Sequence, residues 1–533
     1  MERRPENSTI DPAVFYISVA ISVLFVLWGI FFTESLASVA KTVLDYLILT
    51  FGWVFTLATF GFLVFVLYLA FSHYGRIRLG QDDDRPEFST AVWIAMMFSA
   101  GMGIGLMFFG VAEPVSHLAN PPHGMAEAGS KEAARLAMQY SYFHWALHPW
   151  ATYAVVGLAI AYFTFRKRRR NLISSAFYPI LGDRVEGPIG KAIDILAIFA
   201  TLFGSATSLG LGALQINGGL NYLWGFPNST SIAILIIVVI TALFTISAVT
   251  GVHRGIKYLS EINMVLAAIL ILFLLVVGPT LFIFNTFTES LGAYISNLVP
   301  MSFTTAAFGD AEWLATYTIF YWAWWISWTP FVGTFIARIS KGRTIREFVL
   351  GVLLVPSAVS FIWFAVMGGT AIDLDFSGGE IAAAAAIDPA NALFDTLNEF
   401  PLAAVMSLLA VILVALFFIS GADAAAVVMA MLSSRGALRP RTALLVLWGV
   451  LTGAAAAILL LVGGNDALQS LQQAAIVAAA PFLIVMMGIC WSILKELRAE
   501  APAVAPEPEM AASRLPGTPA PQQTSPIDPE SRS

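Results

Sequence analysis

Cysteine is all but missing from this chain. Cys490 stands alone in an apolar run, so no internal disulfide can form and cysteine usage says nothing about the redox compartment. Charge is scarce too: Asp, Glu, Lys and Arg make up 12% of 533 residues, against 58% hydrophobic, which leaves too few to cover a soluble surface. The net charge of -6 is confined to loops and tails and carries no nucleic-acid signal. No small-residue cleavage pattern follows the first apolar run, which begins near Pro12 and is about 20 residues long, so it does not read as a removable leader. No nucleophile paired with a base and no metal-ligand cluster appears at membrane depth, which argues against an enzyme. His144 and His148 share a helical i, i+4 spacing that suits zinc, but no third ligand accompanies them, and packing near the outer surface is the preferred reading. What the chain has instead is apolar length: its hydrophobic runs repeatedly exceed the roughly 20 residues needed to cross a bilayer. The class is an all-α polytopic membrane protein.

Twelve transmembrane helices are expected, roughly at 13–33, 44–73, 90–112, 137–165, 188–216, 230–250, 258–286, 311–337, 346–371, 401–432, 442–463 and 470–494. Basic residues follow the even-numbered spans: Arg76, Arg78 and Arg85, then Arg166 to Arg170, Arg254 and Lys257, Arg338 to Arg346, and Arg435, Arg439 and Arg441. The other loops carry acids instead, among them Glu113, Asp310, Glu312, Asp373, Asp375, Glu380, Asp388 and Asp466. By the positive-inside rule both termini are cytoplasmic, in keeping with an even number of spans. After Leu497 a Pro/Ala/Glu-rich tail with eight prolines from Pro502 to Pro529 cannot pack a core and is expected to be disordered.

Two spans contain residues that a helix tolerates poorly. The third carries Ser99-Ala100-Gly101-Met102-Gly103-Ile104-Gly105, and the eighth carries Pro330 and Gly333. Backbone carbonyls freed there cannot be satisfied by lipid, so broken spans imply a protein-lined cavity, and breaks at corresponding places in two sets of five spans suggest an inverted repeat. Close helix packing is the plainer use of Gly101, Gly103 and Gly105.

Aromatic residues are the feature in excess. Tyr321, Trp322, Trp324, Trp325, Trp328 and Phe331 fall within eleven residues. Trp325 precedes Arg338 by thirteen, about 20 Å along a helix, too deep for an interfacial belt. An aromatic box fits that depth, since each π face attracts a quaternary ammonium by roughly 0.5 to 2 kcal/mol. The fourth span adds Trp145, Trp150 and Tyr153 within an arc of about 140°. Trp145 also suits an interfacial belt. Trp324, Trp328 and Phe331 share a stripe from which Trp325 is turned by about 100°, so spacing does not decide whether Trp324 or Trp325 enters the box.

Taken together, Gly-Met-Gly-Ile-Gly, the His-Trp and Pro-Trp pairs with Tyr153, and Tyr-Trp-Ala-Trp-Trp-Ile-Ser-Trp-Thr-Pro-Phe resemble the betaine/choline/carnitine transporters over about residues 10 to 495. The resemblance implies two inverted five-helix repeats of the LeuT-like kind. The organisation is then a cytoplasmic N-terminus (1–12), two additional helices (13–89), a first repeat (90–287), a periplasmic connection (288–309), a second repeat (310–496) and the tail (497–533). It implies a homotrimer in the bacterial inner membrane and secondary-active uptake of a trimethylammonium compound. The substrate box would be Trp145, Trp150, Tyr153 and Trp325, with Trp324 and Trp328 nearby and Gly101, Gly103 and Gly105 at the broken helix.

Sodium coupling is expected because sodium-coupled relatives keep glycine at the Gly105 position, whereas proton-coupled ones tend to carry aspartate. The coordinating groups would be carbonyls around Ser99 and Met102, the hydroxyls of Thr201 and Ser205 near Phe331, and Phe417 with Ser420. Bonding of Thr201 and Ser205 to their own helix is the alternative. Sodium-coupled relatives show Thr-Ser-Ala-Asp where this chain has Ser420-Gly421-Ala422-Asp423, so coordination is expected to be looser. Asp423 lies within an apolar span, as a functional carboxylate or as the cap of a backbone break. No cofactor other than sodium is implied. The leading expectation is sodium symport of glycine betaine or an analogue such as dimethylsulfoniopropionate; sodium-independent carnitine/betaine exchange, choline transport and a non-transporting sensor are the alternatives.

Overall fold

In a computed structural model of the chain, which describes residues 10–101, 103–250, 253–309 and 311–500, every regular element is helical. Helices α1 (Pro12–Phe31) and α2 (Thr33–Phe71) come first. They turn large apolar side chains such as Leu24 and Leu49 outward, as a lipid-facing helix must. Next come α3 (Thr90–Gly101), α4 (Ile104–Ala119), α5 (Lys131–Trp145), α6 (Leu147–Ala161) and the single turn α7 (Tyr178–Leu181). They are followed by α8 (Pro188–Trp224), α9 (Thr230–Thr250), α10 (His253–Val277) and α11 (Thr280–Ser302). The rest comprises α12 (Ala311–Leu314), α13 (Phe320–Ile339), α14 (Ile345–Leu374), α15 (Ile381–Ile387), α16 (Ala392–Asn398), α17 (Ala403–Leu432), α18 (Thr442–Gly463) and α19 (Ala467–Glu500). Among the described residues the only extended pairing is an isolated antiparallel bridge between Arg78 and Thr344. Asp310 and the tail from Ala501 on lie outside the described residues, as do the side chains of Arg254 and Lys257.

Among the described residues, seven helical stretches are long and apolar enough to cross a membrane, or eight if one bent pair counts as a single span. The bent pair corrects the sequence reading. A straight span was expected over 258–286, but the chain turns by 109° between Val277 and Thr280, and residues 280–302 form their own helix, α11. Pro279 removes a backbone donor at that corner, and Thr280 Oγ1 donates to the Leu275 carbonyl at 2.7 Å.

The third span is broken where glycine density predicted, between α3 and α4, with Gly103 fully extended (φ -174°, ψ -176°). The eighth is not. Helix α13 runs without interruption through Pro330 and Gly333. Pro330 has no N–H for the carbonyl four residues back, that of Ile326, but Thr329 Oγ1 donates to this carbonyl at 2.7 Å and the helix continues. Gly333 serves packing instead: a Cβ there would lie 2.9 Å from Val156 and 3.0 Å from the Gly157 backbone, and one on Gly157 would lie 2.6 Å from Ile336. The two glycines let α6 and α13 meet almost backbone to backbone.

A break absent from the sequence reading falls between α5 and α6, at Ala146 (φ -104°, ψ -113°). Pro149 causes it by depriving the Trp145 carbonyl of its helical donor. The orphaned groups are met from other helices: Ser360 Oγ donates to the Trp145 carbonyl (2.9 Å), Trp325 Nε1 to the His144 carbonyl (3.0 Å), and the Leu147 N–H to the Tyr294 hydroxyl (3.3 Å).

Candidate functional site

The breaks at Gly103 and Ala146 and the aromatic face of α13 meet around one cavity of about 50 Å³, room for a few water-sized groups. Its walls include Trp145, Trp150 and Tyr153 from the α5–α6 junction, Trp324, Trp325 and Trp328 from α13, and Gly103 and Gly105 from the start of α4. Both Trp324 and Trp325 therefore line it, which spacing alone left open. Their rings stack with centroids 4.8 Å apart, Trp145 meets Trp325 edge-on at 4.8 Å, and Trp150 meets Tyr153 at 5.2 Å. Trp145 is buried and faces this cavity, so it is not an interfacial belt residue. Among the described residues, no lysine or arginine lines the cavity.

Gly105 has to be glycine for the walls to close as they do. A Cβ there would stand 2.8 Å from Trp145 Cη2 and 2.9 Å from Trp324 Cη2. At Gly103, just before the first turn of α4, by contrast, no described atom beyond its chain neighbours lies within 4 Å of where a Cβ would stand. The first-turn N–H groups there have no helical acceptor. Sequence reading missed Leu106, Pro149, Val332 and Ser360 as lining residues. Of these only Pro149 carried a signal, as a proline beside an expected box residue.

The groups expected to hold cations are spread around this core. The Thr201 hydroxyl donates to the Ala197 carbonyl at 2.8 Å, the local bonding weighed for it, while Ser205 is buried one turn away. Ties between α8 and α13 run antiparallel, Trp324 Nε1 to Ser208 Oγ (3.2 Å) and Trp328 Nε1 to the Gly204 carbonyl (2.9 Å). Their register carries Thr201 toward Phe331, whose ring meets Trp328 edge-on at 5.5 Å. Ser420 donates to the Phe417 carbonyl at 3.2 Å on α17. Gly101 closes α3, Met102 falls outside the described residues, and so does the side chain of Ser99.

The largest correction concerns Glu113 and His144. The sequence reading puts Glu113 in an outer loop, yet it is buried, because α4 continues to Ala119 rather than ending at 112, and it meets the buried His144, for which no third ligand was expected. Glu113 Oε2 accepts from Trp145 Nε1 at 2.6 Å. Its Oε1 lies 2.7 Å from His144 Nδ1 and 3.3 Å from His117 Nε2. These three side chains offer donor atoms that all lie within 4.8 Å of one another, the kind of cluster not expected at this depth. His148 is occupied elsewhere, stacked on Trp322 at 5.1 Å with Nε2 2.9 Å from Ser302 Oγ. A signal was present in the i, i+4 spacing of Glu113 and His117.

The family model described as betaine/carnitine/choline family transporter matches residues 13–502. The chain belongs to the betaine/carnitine/choline transporter family. Among curated relatives, it is 49% identical over 490 residues to a "Probable glycine betaine transporter" of Desulfitobacterium hafniense, spanning 92% of this chain and 98% of that one. It is 51% identical over 445 residues to the "Glycine betaine transporter OpuD" of Bacillus subtilis (83% and 86%). It is 44% identical over 449 residues to an "Ectoine/hydroxyectoine transporter" of Virgibacillus pantothenticus (84% and 89%). This is a membrane transporter and not an enzyme.

Proposed function

We propose that this transporter imports glycine betaine, or a close analogue such as dimethylsulfoniopropionate, by sodium symport with alternating access. The observation that carries the reading is the uncharged cavity walled by five tryptophans and Tyr153. A quaternary ammonium needs no hydrogen-bond partner and gains most from π faces. The substrate carboxylate, in turn, is met by the first-turn N–H groups of α4, at the positive end of that helix's dipole.

Sodium is the proposed coupling ion. Donation to the Ala197 carbonyl uses only the hydrogen of Thr201, so its oxygen lone pairs stay free to coordinate an ion with Ser205 and the backbone near Phe331. Ser420 and the Phe417 carbonyl, with Ser99 and Met102 at the broken helix, form the second proposed set.

We place the protein in the bacterial inner membrane as a homotrimer with both termini cytoplasmic and twelve spans. The stretch Thr442–Glu500 of 59 residues supports two passes there, since at about 1.5 Å per residue it far exceeds the roughly 30 Å hydrocarbon core. The inverted repeats, 90–287 and 310–496, rest on the family alone, because the matching break in α13 is absent.

Radiolabelled uptake into proteoliposomes, across betaine, carnitine, choline, ectoine and sulfonium compounds, tests the reading. Ectoine belongs in the panel because one relative is named for it. Accumulation of betaine driven by an inward sodium gradient is expected. Binding without accumulation would leave a sensor, and full transport in potassium-only buffer would leave an exchanger.

A further inference from the structure

Glu113 is buried, 1% exposed, and no lysine or arginine among the described residues pairs with it. The network around it defines its donors. The Trp145 indole N–H can only donate, and does so to Oε2 at 2.6 Å. Thr318 Oγ1 lies 2.9 Å from His144 Nε2, so with the hydroxyl donating there, His144 presents Nδ1–H to Oε1 at 2.7 Å. His117 Nε2 lies 3.3 Å from the same oxygen. With His117 presenting Nε2–H as well, three N–H groups converge on two acceptor oxygens, the arrangement that suits a carboxylate. A buried carboxylate is costly unless a positive charge answers it.

Trp145 connects that charge to the cavity. Its indole is tied to Glu113 at Nε1, while its opposite corner, Cη2, is the atom that a Cβ on Gly105 would meet at the cavity wall. Donation of the N–H to an anion enriches the ring's π electrons and so deepens the negative face that a cation sees. We propose that Glu113 is a specificity-determining residue: held by His144 and His117 behind Trp145, its carboxylate supplies, through the indole, the countercharge by which the box selects a cationic head group over a neutral one of the same shape. This rests on the quaternary-ammonium reading of the cavity.

The test compares glycine betaine with 3,3-dimethylbutanoate, its isostere in which the ammonium nitrogen is carbon, binding to the purified full-length protein followed by tryptophan fluorescence. The wild type should prefer betaine. Glu113→Gln should lower that preference by about tenfold or more, mainly through weaker betaine binding, and Glu113→Asp should retain most of it. If Glu113→Gln fails to fold, Trp145→Phe, which removes the N–H link but leaves the carboxylate, should show the same loss. Equal weakening of both ligands, or unchanged preference in a folded variant, would overturn the inference. Failure of the wild type to prefer betaine would instead overturn the substrate reading. Affinity should be indifferent to EDTA and to added zinc; metal-dependent affinity would make Glu113, His117 and His144 ligands and overturn the proposal as well.

Discussion

Trp325 and Trp150 line the same cavity from two helices, and each is expected to contribute one aromatic face. Trp325→Leu or Trp150→Leu should weaken betaine binding roughly three- to thirtyfold, given about 0.5 to 2 kcal/mol per face. Fluorescence titration of folded, purified variants checks this, and wild-type affinity in both would mean that the box lies elsewhere. Gly105 makes a different probe. Any side chain there enters the space between Trp145 and Trp324, so Gly105→Asp should shift preference from betaine toward choline, a cation that lacks its own carboxylate. Competition assays read the shift; a folded variant with unchanged preference would remove Gly105 from the site. These residues were legible because aromatics at membrane depth are conspicuous in an apolar chain. Glu113 was not, since a lone acid near an estimated span end looks the same in sequence whether it faces water or is buried against two histidines.

At the scale of elements, proline had two outcomes that sequence reading did not separate. Pro330 leaves α13 intact because a hydroxyl one residue earlier takes the freed carbonyl, whereas Pro149 ends a helix because Trp145's carbonyl is taken by Ser360 of α14. The first partner is local and could have been read from Thr329-Pro330; the second is 215 residues away in sequence and could not. The same limit hid the corner at Gly278-Pro279, where apolar residues continue on both sides. Thr329→Val should leave the Ile326 carbonyl unsatisfied in a buried helix and destabilise the protein by about 1 to 3 kcal/mol. Thermal unfolding in detergent reports it as a lower midpoint, and an unchanged midpoint would mean that the bond is dispensable.

Across the whole molecule, α13 joins the aromatic cavity to the proposed sodium site, because the indoles of Trp324 and Trp328 are tied to Ser208 and the Gly204 carbonyl of α8. Loss of the coupling ion's oxygens should therefore be felt in substrate affinity. Thr201→Ala combined with Ser205→Ala should strongly reduce sodium-driven uptake and weaken the dependence of betaine binding on sodium concentration, both measured in proteoliposomes. Sodium dependence equal to wild type would move the ion site away from α8.

The glycine seam between α6 and α13 has a mechanical side. Helices that interdigitate large side chains shift only by lifting those chains out of their grooves, a stepwise and costly motion. Where Gly157 and Gly333 bring the two backbones together, Ile336 and Val156 fill the space that a Cβ would take, so the helices are set at one close spacing. The aromatic cavity straddles this seam, with Trp150 and Tyr153 on one helix and Trp324, Trp325 and Trp328 on the other. Its two walls thus share one close backbone contact, and the spacing of α6 and α13 at this seam sets the spacing of the aromatic faces.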